Sequence, residues 1–264
     1  MKLNAPGSLN TLNQAQLQQD SLLKKLATAK RINSAADDAA GLQIANQLSS
    51  SINGKGQGER NLYDGVSLAR VYEQGLQGIN DNLGELNRLA VAAGNGIYGA
   101  QERAALQAEA DQYTANIQQV IDNTEFAGKK LFDQDGALSF GTGSGSLNFS
   151  TTDVASGLTA QNIFSIDLTS ADSAAASLGN IQQSLDYIGG LQADAGASIN
   201  SFSSAASNLN GQQIAESAAR SRIEDLDFAR ASSDKVAADI LANTSVSVSL
   251  QARMQQQQAL NLLS

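Results

Sequence analysis

Two adjacent acids, Asp37 and Asp38, stand in the stretch Lys30–Leu48, KRINSAADDAAGLQIANQL. Paired carboxylates can act as general acid and base or hold a metal ion. Neighbouring residues on a helix point about 100° apart, however, so these two do not converge as a catalytic pair must. Ser34-x-x-Asp37 matches a capping box instead, in which a hydroxyl and an acid satisfy the free N–H groups of a first helical turn. The expectation is a helix start capped by Ser34, with Ala39, Ala40 and Gly41 small enough for another backbone to approach. Lys30 and Arg31 precede the acids and could pair with acids within or between chains, although exposed pairs stabilise little.

Little else in the chain could do chemistry. There is no Cys and no His, which removes thiol nucleophiles, imidazole bases and Cys/His zinc sites. No P-loop, dinucleotide fingerprint, nucleophile elbow or EF-hand loop is present. GTGSG, Gly141–Gly145, is glycine-rich but lies between two short alternating apolar runs, so it reads as a turn. With no converging acid, base and nucleophile, the reading is a protein that is not an enzyme and needs neither cofactor nor metal. A formal charge of −9 argues against nucleic acid as the main partner. No apolar stretch approaches the ~18–20 residues of a membrane span. The N-terminal segment has no compact apolar core and does not read as a secretory signal, so export would need a route without a cleaved signal. Residues 131–219 contain no Lys or Arg and read as an acidic, solvated surface.

The elements that carry these residues are helical. Tyr72, Leu76, Ile79, Leu83, Leu86, Ala90 and Ala93 alternate spacings of three and four, which is a heptad repeat. A second run has Leu106, Ala110, Tyr113, Ile117, Val120 and Thr124. A third has Leu178, Ile181, Leu185, Ile188, Gln192, Ala195, Ile199, Phe202, Ala206 and Leu209, broken only by Gln192. Three such runs predict a mainly α protein, a long antiparallel coiled-coil rod. GNGIYGA, Gly94–Ala100, reads as the turn between the first two runs. Alternating Leu138/Phe140 and Leu147/Phe149 predict a β-hairpin, and Phe164, Ile166 and Leu168 add a further period-two run. Residues 131–170 are thus expected to be a small β-hairpin insert.

The two ends differ from the middle. No aromatic residue occurs before Tyr63 or after Phe228. Leu9, Leu12, Leu23 and Leu26 fall at heptad positions, with Gln16 and Gln19 between them. Val236, Ile240, Val246, Leu250, Met254 and Leu260 supply the apolar residues near the C-terminus, with QQQQ at 255–258. Each segment reads as a weakly amphipathic helix that cannot bury itself alone and needs protein partners. The Gln/Asn/Ser-rich polar faces do not suit a membrane surface.

Lys30–Leu48 resembles the N-terminal block of bacterial flagellins. ARSRIEDLDFARAS, Ala219–Ser232, resembles their C-terminal block. NTEFAGKKLF, Asn123–Phe132, resembles the segment leading into the flagellin hairpin, and NLGELNRLAVAAGNG, Asn82–Gly96, a helix end and turn. The chain also closes in flagellin style, on LNLLS. The resemblance implies terminal D0 helices at 1–32 and 226–264. It implies a D1 bundle at 33–130 and 171–225, with 131–170 as its hairpin part and no large outer domains. The second helix would run from about Asp37 to Ala93, about 85 Å at 1.5 Å per residue.

It further implies an extracellular filament subunit for swimming, exported by the flagellar type III apparatus. Its partners would be other copies of itself, an export chaperone on about Phe228–Ser264, and hook-associated and cap proteins. The filament interface would include Leu9, Leu12, Leu23, Leu26, Val246, Leu250, Met254 and Leu260. The D0–D1 joint and D1 interface would include Lys30, Arg31, Ile32, Asn33, Asp37, Asp38, Arg220, Arg222, Glu224 and Asp225. Family members often read Leu-Ser-Ser-Gly before the Arg-Ile-Asn-Ser-Ala block; here the stretch is LATAKRINSA, and a flexible joint glycine is missing. The family surface read by an innate-immune receptor would fall on Glu85, Leu89 and Glu109. Glu85 reverses the charge of the family's arginine there, so weak or no activation is expected. The alternatives are a hook–filament junction protein and a secreted adhesin.

Overall fold

The computed structural model describes residues 5–261. Helix α1 spans Ala5–Thr28, α2 Ala39–Ala93 and α3 Ala100–Asn123. Four short strands follow: β1 Glu125–Phe126, β2 Lys129–Lys130, β3 Gly136–Gly141 and β4 Ser146–Thr151. Then come α4 Val154–Ala160, a 3₁₀ turn at Ile163–Ser165, α5 Ala171–Glu224 and α6 Phe228–Asn261. The protein is mainly α, as the heptads predict, with two small antiparallel hairpins. Contacts divide it into two compact units, Asn53–Gln213 and Met1–Ile52 with Ile214–Ser264.

In the central unit α3 and α5 both run antiparallel to α2. Arg103 Nε donates to the Ala93 carbonyl at 2.8 Å, and Arg88 Nη2 reaches Glu109 at 3.3 Å. Gln192 Nε2 donates to Gln77 at 3.3 Å, and Gln213 Nε2 to Glu59 at 2.9 Å. The seam is the one that the spacing picks out. Leu76, Ile79, Leu83 and Leu86 on α2, Ile117 on α3, and Ile181 and Ile188 on α5 are all buried. On α5 the second column differs from expectation: Leu178 and Leu185 are half-buried, while Ser177 and Ser184 are buried. Small hydroxyl residues can sit there because their hydrogen bonds are met locally. Ser184 donates to the Asn180 carbonyl at 3.0 Å, and Ser177 exchanges two bonds with the Asp167 backbone at 3.1 Å.

The hairpin β3–β4 pairs Leu138 with Phe149 and Phe140 with Leu147. Its turn lies within GTGSG, closed by Thr142 N donating to Gly145 O at 2.8 Å, with Gly143 at φ +81°. The smaller hairpin β1–β2 turns through Ala127 (φ +51°) and Gly128 (φ +76°). Both lie in the left-handed region that a two-residue turn needs. The period-two run Phe164/Ile166/Leu168 does not make a strand. It forms the 3₁₀ turn and a loop, with Ile163, Ile166 and Leu168 buried. Side chains rather than a strand take up its backbone groups: Gln107 donates to Ile166 O at 2.9 Å and accepts from Leu168 N at 2.6 Å. Two acids of the stretch without bases serve the backbone. Asp153 caps α4, accepting from Ser156 N at 2.8 Å, and Asp167 accepts from Thr169 N at 2.8 Å. Bonds from Ser156 and from Thr169 hold the two carboxyls below their ordinary range.

In the other unit α1 and α6 run antiparallel. Leu226 N donates to Ala29 O at 3.0 Å and Gln19 Nε2 to Asp239 at 2.8 Å. Among the described residues, α6 contributes Ala231 and Ala238 to the buried set.

Candidate functional site

The residues between α1 and α2 meet the end of α5. Arg31 N donates to Glu224 O at 2.7 Å, and Lys30 and Asp225 form an antiparallel bridge. The Lys30 ammonium pairs with the Glu224 carboxylate, and the Arg31 guanidinium donates to the Ile223 carbonyl. Asn33 Nδ2 donates to Lys30 O at 3.0 Å. Arg220 reaches Ser49 at 3.3 Å, while Arg222 is exposed. Ile32 is buried at 1% exposure, and it can be so because Gly41 has no side chain. A Cβ there would lie 2.7 Å from Ile32 Cδ1.

The two acids divide the capping work differently from the sequence expectation. Asp37 does not open the helix. Its carboxylate accepts from Asn33 N at 3.0 Å and from Ser34 N and Oγ at 2.9 Å each, closing the turn before it. The bond from the Asn33 backbone, then that from the Ser34 hydroxyl, holds the Asp37 carboxyl below its ordinary range. Asp38 is the cap: its carboxylate accepts from Gly41 N at 2.8 Å and its carbonyl from Leu42 N at 2.9 Å. The helix therefore starts at Ala39, two residues late. Ala39 and Ala40 are exposed. The close approach is made at Gly41 alone, by a side chain of the same chain rather than by a second backbone.

The residue standing where the family's joint glycine would be is Ala29, and it keeps a glycine's conformation, with φ +54°. The turn is held by Leu226 N on its carbonyl and by the Thr28 hydroxyl, which donates to Lys24 O at 2.9 Å. A left-handed alanine costs about 1–2 kcal/mol. Ala29→Gly is expected to stabilise this turn by about 1 kcal/mol after the glycine's extra unfolded-state entropy is counted. Amide exchange at Leu226 should slow about fivefold, which 1 kcal/mol corresponds to when exchange follows local opening.

The terminal helices expose much apolar surface. Leu17 and Leu23 on α1 stand out, with Leu26 half-buried. On α6, Phe228, Val236, Ile240, Leu241, Val246, Val248, Leu250 and Met254 are all exposed. The side chains of Leu9, Leu12 and Leu260 lie outside the described residues. Phe228, Leu241 and Val248 escape a heptad reading because the apolar residues of α6 go round the helix rather than along one stripe, and Leu17 on α1 falls between the leucines that the spacing picks out. That distribution was itself the available signal, since a helix apolar on every side is one meant to be surrounded.

The three residues of the expected receptor surface are placed differently. Glu85 and Glu109 both hold Arg88, at 2.8 and 3.3 Å. Leu89 is buried in the seam at 0% exposure and presents no surface in this chain. Among the described residues no group of His, Cys, Asp or Glu is arranged to hold a metal ion, and no helix is long and apolar enough to cross a membrane.

Residues 3–137 match the family model described as the bacterial flagellin N-terminal helical region. Residues 178–263 match the bacterial flagellin C-terminal helical region. The B-type flagellin of Pseudomonas aeruginosa is 43% identical over 141 residues, covering 52% of this chain and 29% of that protein. The chain spans less than half the length of the curated relatives it matches. Among solved structures, Bacillus cereus flagellin superposes with a TM-score of 0.52 at 23% identity, over 57% of this chain and 88% of that one. A putative flagellar hook-associated protein from Vibrio parahaemolyticus gives 0.60 at 13% identity, over 72% and 100%. At these identities the superpositions speak for fold.

Proposed function

The chain belongs to the bacterial flagellin family, and from that premise we propose that it is the repeating subunit of an extracellular flagellar filament. The observation that carries this reading is the exposed apolar surface of the terminal helices. Among its described residues helix α6 exposes eight large apolar side chains, and at roughly 25 cal/mol per Å² such surface favours burial strongly. Neighbouring copies can bury it on every side of the helix. One heterologous contact, repeated, builds an open helical polymer. Both family matches reach into the terminal helices.

In this reading residues 1–32 and 226–264 form the inner D0 layer. Residues 33–130 and 171–225 form D1, with 131–170 as its hairpin part. The subunit leaves the cell through the flagellar type III apparatus. An export chaperone covers about Phe228–Ser264 before assembly, as a groove receives a helix. Hook-associated and cap proteins meet the filament at its ends. A junction protein has weaker support, because the hook-associated likeness is one of fold at 13% identity.

The test compares the full chain with a copy lacking residues 1–30 and 233–264, both seeded with short filaments and imaged. Growth by the full chain only is expected. Growth by both would remove the terminal helices from assembly, and failure of the full chain to grow would overturn the filament reading.

A further inference from the structure

A cleft of about 310 Å³ opens in the central unit between the end of β4 and α5. Tyr72 and Phe149 give it an aromatic lining, and Ser150, Thr152, Asp194 and Ser198 add oxygens. Tyr72 is 2% exposed, and its hydroxyl has no hydrogen-bond partner. A buried phenol ordinarily finds one. Thr152 lies beside it without completing a hydrogen bond. The Asp194 carboxylate forms no ion pair among the described residues, and residues 131–219 hold no base to offer it. All 17 Lys and Arg lie elsewhere in the chain.

The lining is thus rich in acceptors, carries one negative charge and has an apolar wall. A compact cation on an apolar stem fits those terms. An ammonium suits it better than a guanidinium: one carboxylate among scattered hydroxyls matches three rotatable donors, whereas a planar fork wants a bidentate partner. The stem can lie along the half-buried Leu191 while the head stays among the oxygens. The uneven placement of charge says where the cation comes from. The stretch that supplies most of the cleft has acids and no bases, so a lysine that enters it comes from outside residues 131–219. We propose that this cleft receives a lysine side chain of a second copy of the chain. The proposal rests on the filament reading and adds a specific contact to it.

The test grows filaments from a mixture of isotope-labelled and unlabelled full chains and treats them with a carbodiimide, which joins a carboxylate to an adjacent amine. Mass spectrometry is expected to find Asp194 joined to a lysine of the other isotope, in filaments and not in monomers. Asp194→Asn should remove that link and raise the critical concentration for growth at least fivefold, with the monomer's circular dichroism unchanged. Tyr72→Phe gives a second, independent readout. Deleting an unpartnered hydroxyl should leave the isolated chain as stable or more so, yet raise the critical concentration about twofold. A merely structural tyrosine would not separate the two effects.

n-Butylammonium chloride, titrated onto the monomer while the Tyr72 ring signals are followed, separates the sources of the amine. Binding that depends on Asp194, with growth of Asp194→Asn unaffected, would make this a free-amine site and overturn the second-copy assignment. Filaments that grow from both wild type and Asp194→Asn at one critical concentration, with no cross-link, would sink the cleft proposal and leave the filament reading intact. If the wild-type chain does not grow at all, both fall together.

Discussion

Phe132→Ala is expected to lower the stability of the central unit by about 3–5 kcal/mol, the range for truncating a buried aromatic ring. The chain has seven Phe, five Tyr and no Trp, so few side chains carry large buried surface, and this ring sits where several elements meet. Phe132 is fully buried, with its centroid 4.9 Å from that of Tyr72 on α2. Tyr72 in turn meets Phe149 of β4 edge-on at 5.2 Å. The Phe132 backbone accepts from Val154 N at 3.2 Å, which ties the start of α4 to the same point. Gly75 makes the room: a Cβ there would stand 2.8 Å from the ring's Cζ. Shrinking the ring leaves a cavity among side chains held by three separate elements, which cannot easily collapse to fill it. Urea unfolding of the isolated chain, followed by circular dichroism, should show the midpoint fall with the slope unchanged. A loss under about 1 kcal/mol would mean that this cluster lies outside the cooperative core.

Much of this core was legible because period is a one-dimensional signal. The α2 run from Tyr72 to Ala93 is buried residue for residue, since helix faces repeat every three and four positions whatever packs against them. The hairpin was legible for the same reason at period two, with a glycine turn to close it. What escaped were features that depend on a third partner. Ser177 and Ser184 look polar in a sequence, and only their local hydrogen bonds show that they can be buried. Asp37 and Asp38 are both plausible caps by type, and the choice between them rests on which carboxylate faces Gly41 N. The run ending in Leu168 alternates as a strand does, but a strand needs a neighbour. Of the assembly surface, Leu23 on α1 and Val236 and Leu250 on α6 were legible, whereas Leu241 and Val248 were not singled out.

The glycines of α2 are the clearest case of information that composition hides, and two of them give a prediction of opposite sign. Gly54 and Gly58 are one helical turn apart, in the stretch that the hairpin turn approaches. At Gly58 an added Cβ would lie 2.7 Å from Thr142 Cα, with the Thr142 carbonyl carbon and oxygen closer still. Backbone cannot rotate away as a side-chain tip can, so Gly58→Ala must push the hairpin turn off the helix. The cost of such overpacking, about 1–3 kcal/mol, exceeds the roughly 0.5–1 kcal/mol that alanine gains over glycine in a helix. At Gly54 nothing lies within 4 Å of an added Cβ, although Gly143 of the turn sits against the Gly54 backbone. Gly54→Ala therefore collects the helix gain without the clash and should stabilise the isolated chain by about 0.5–1 kcal/mol. Denaturation midpoints should move in opposite directions. Amide exchange at Thr142, whose N–H closes the turn at 2.8 Å, should quicken in Gly58→Ala and not in Gly54→Ala. If both substitutions stabilise the chain equally, the hairpin turn does not rest on α2, and the reason for a buried glycine at position 58 must be sought in contacts between copies.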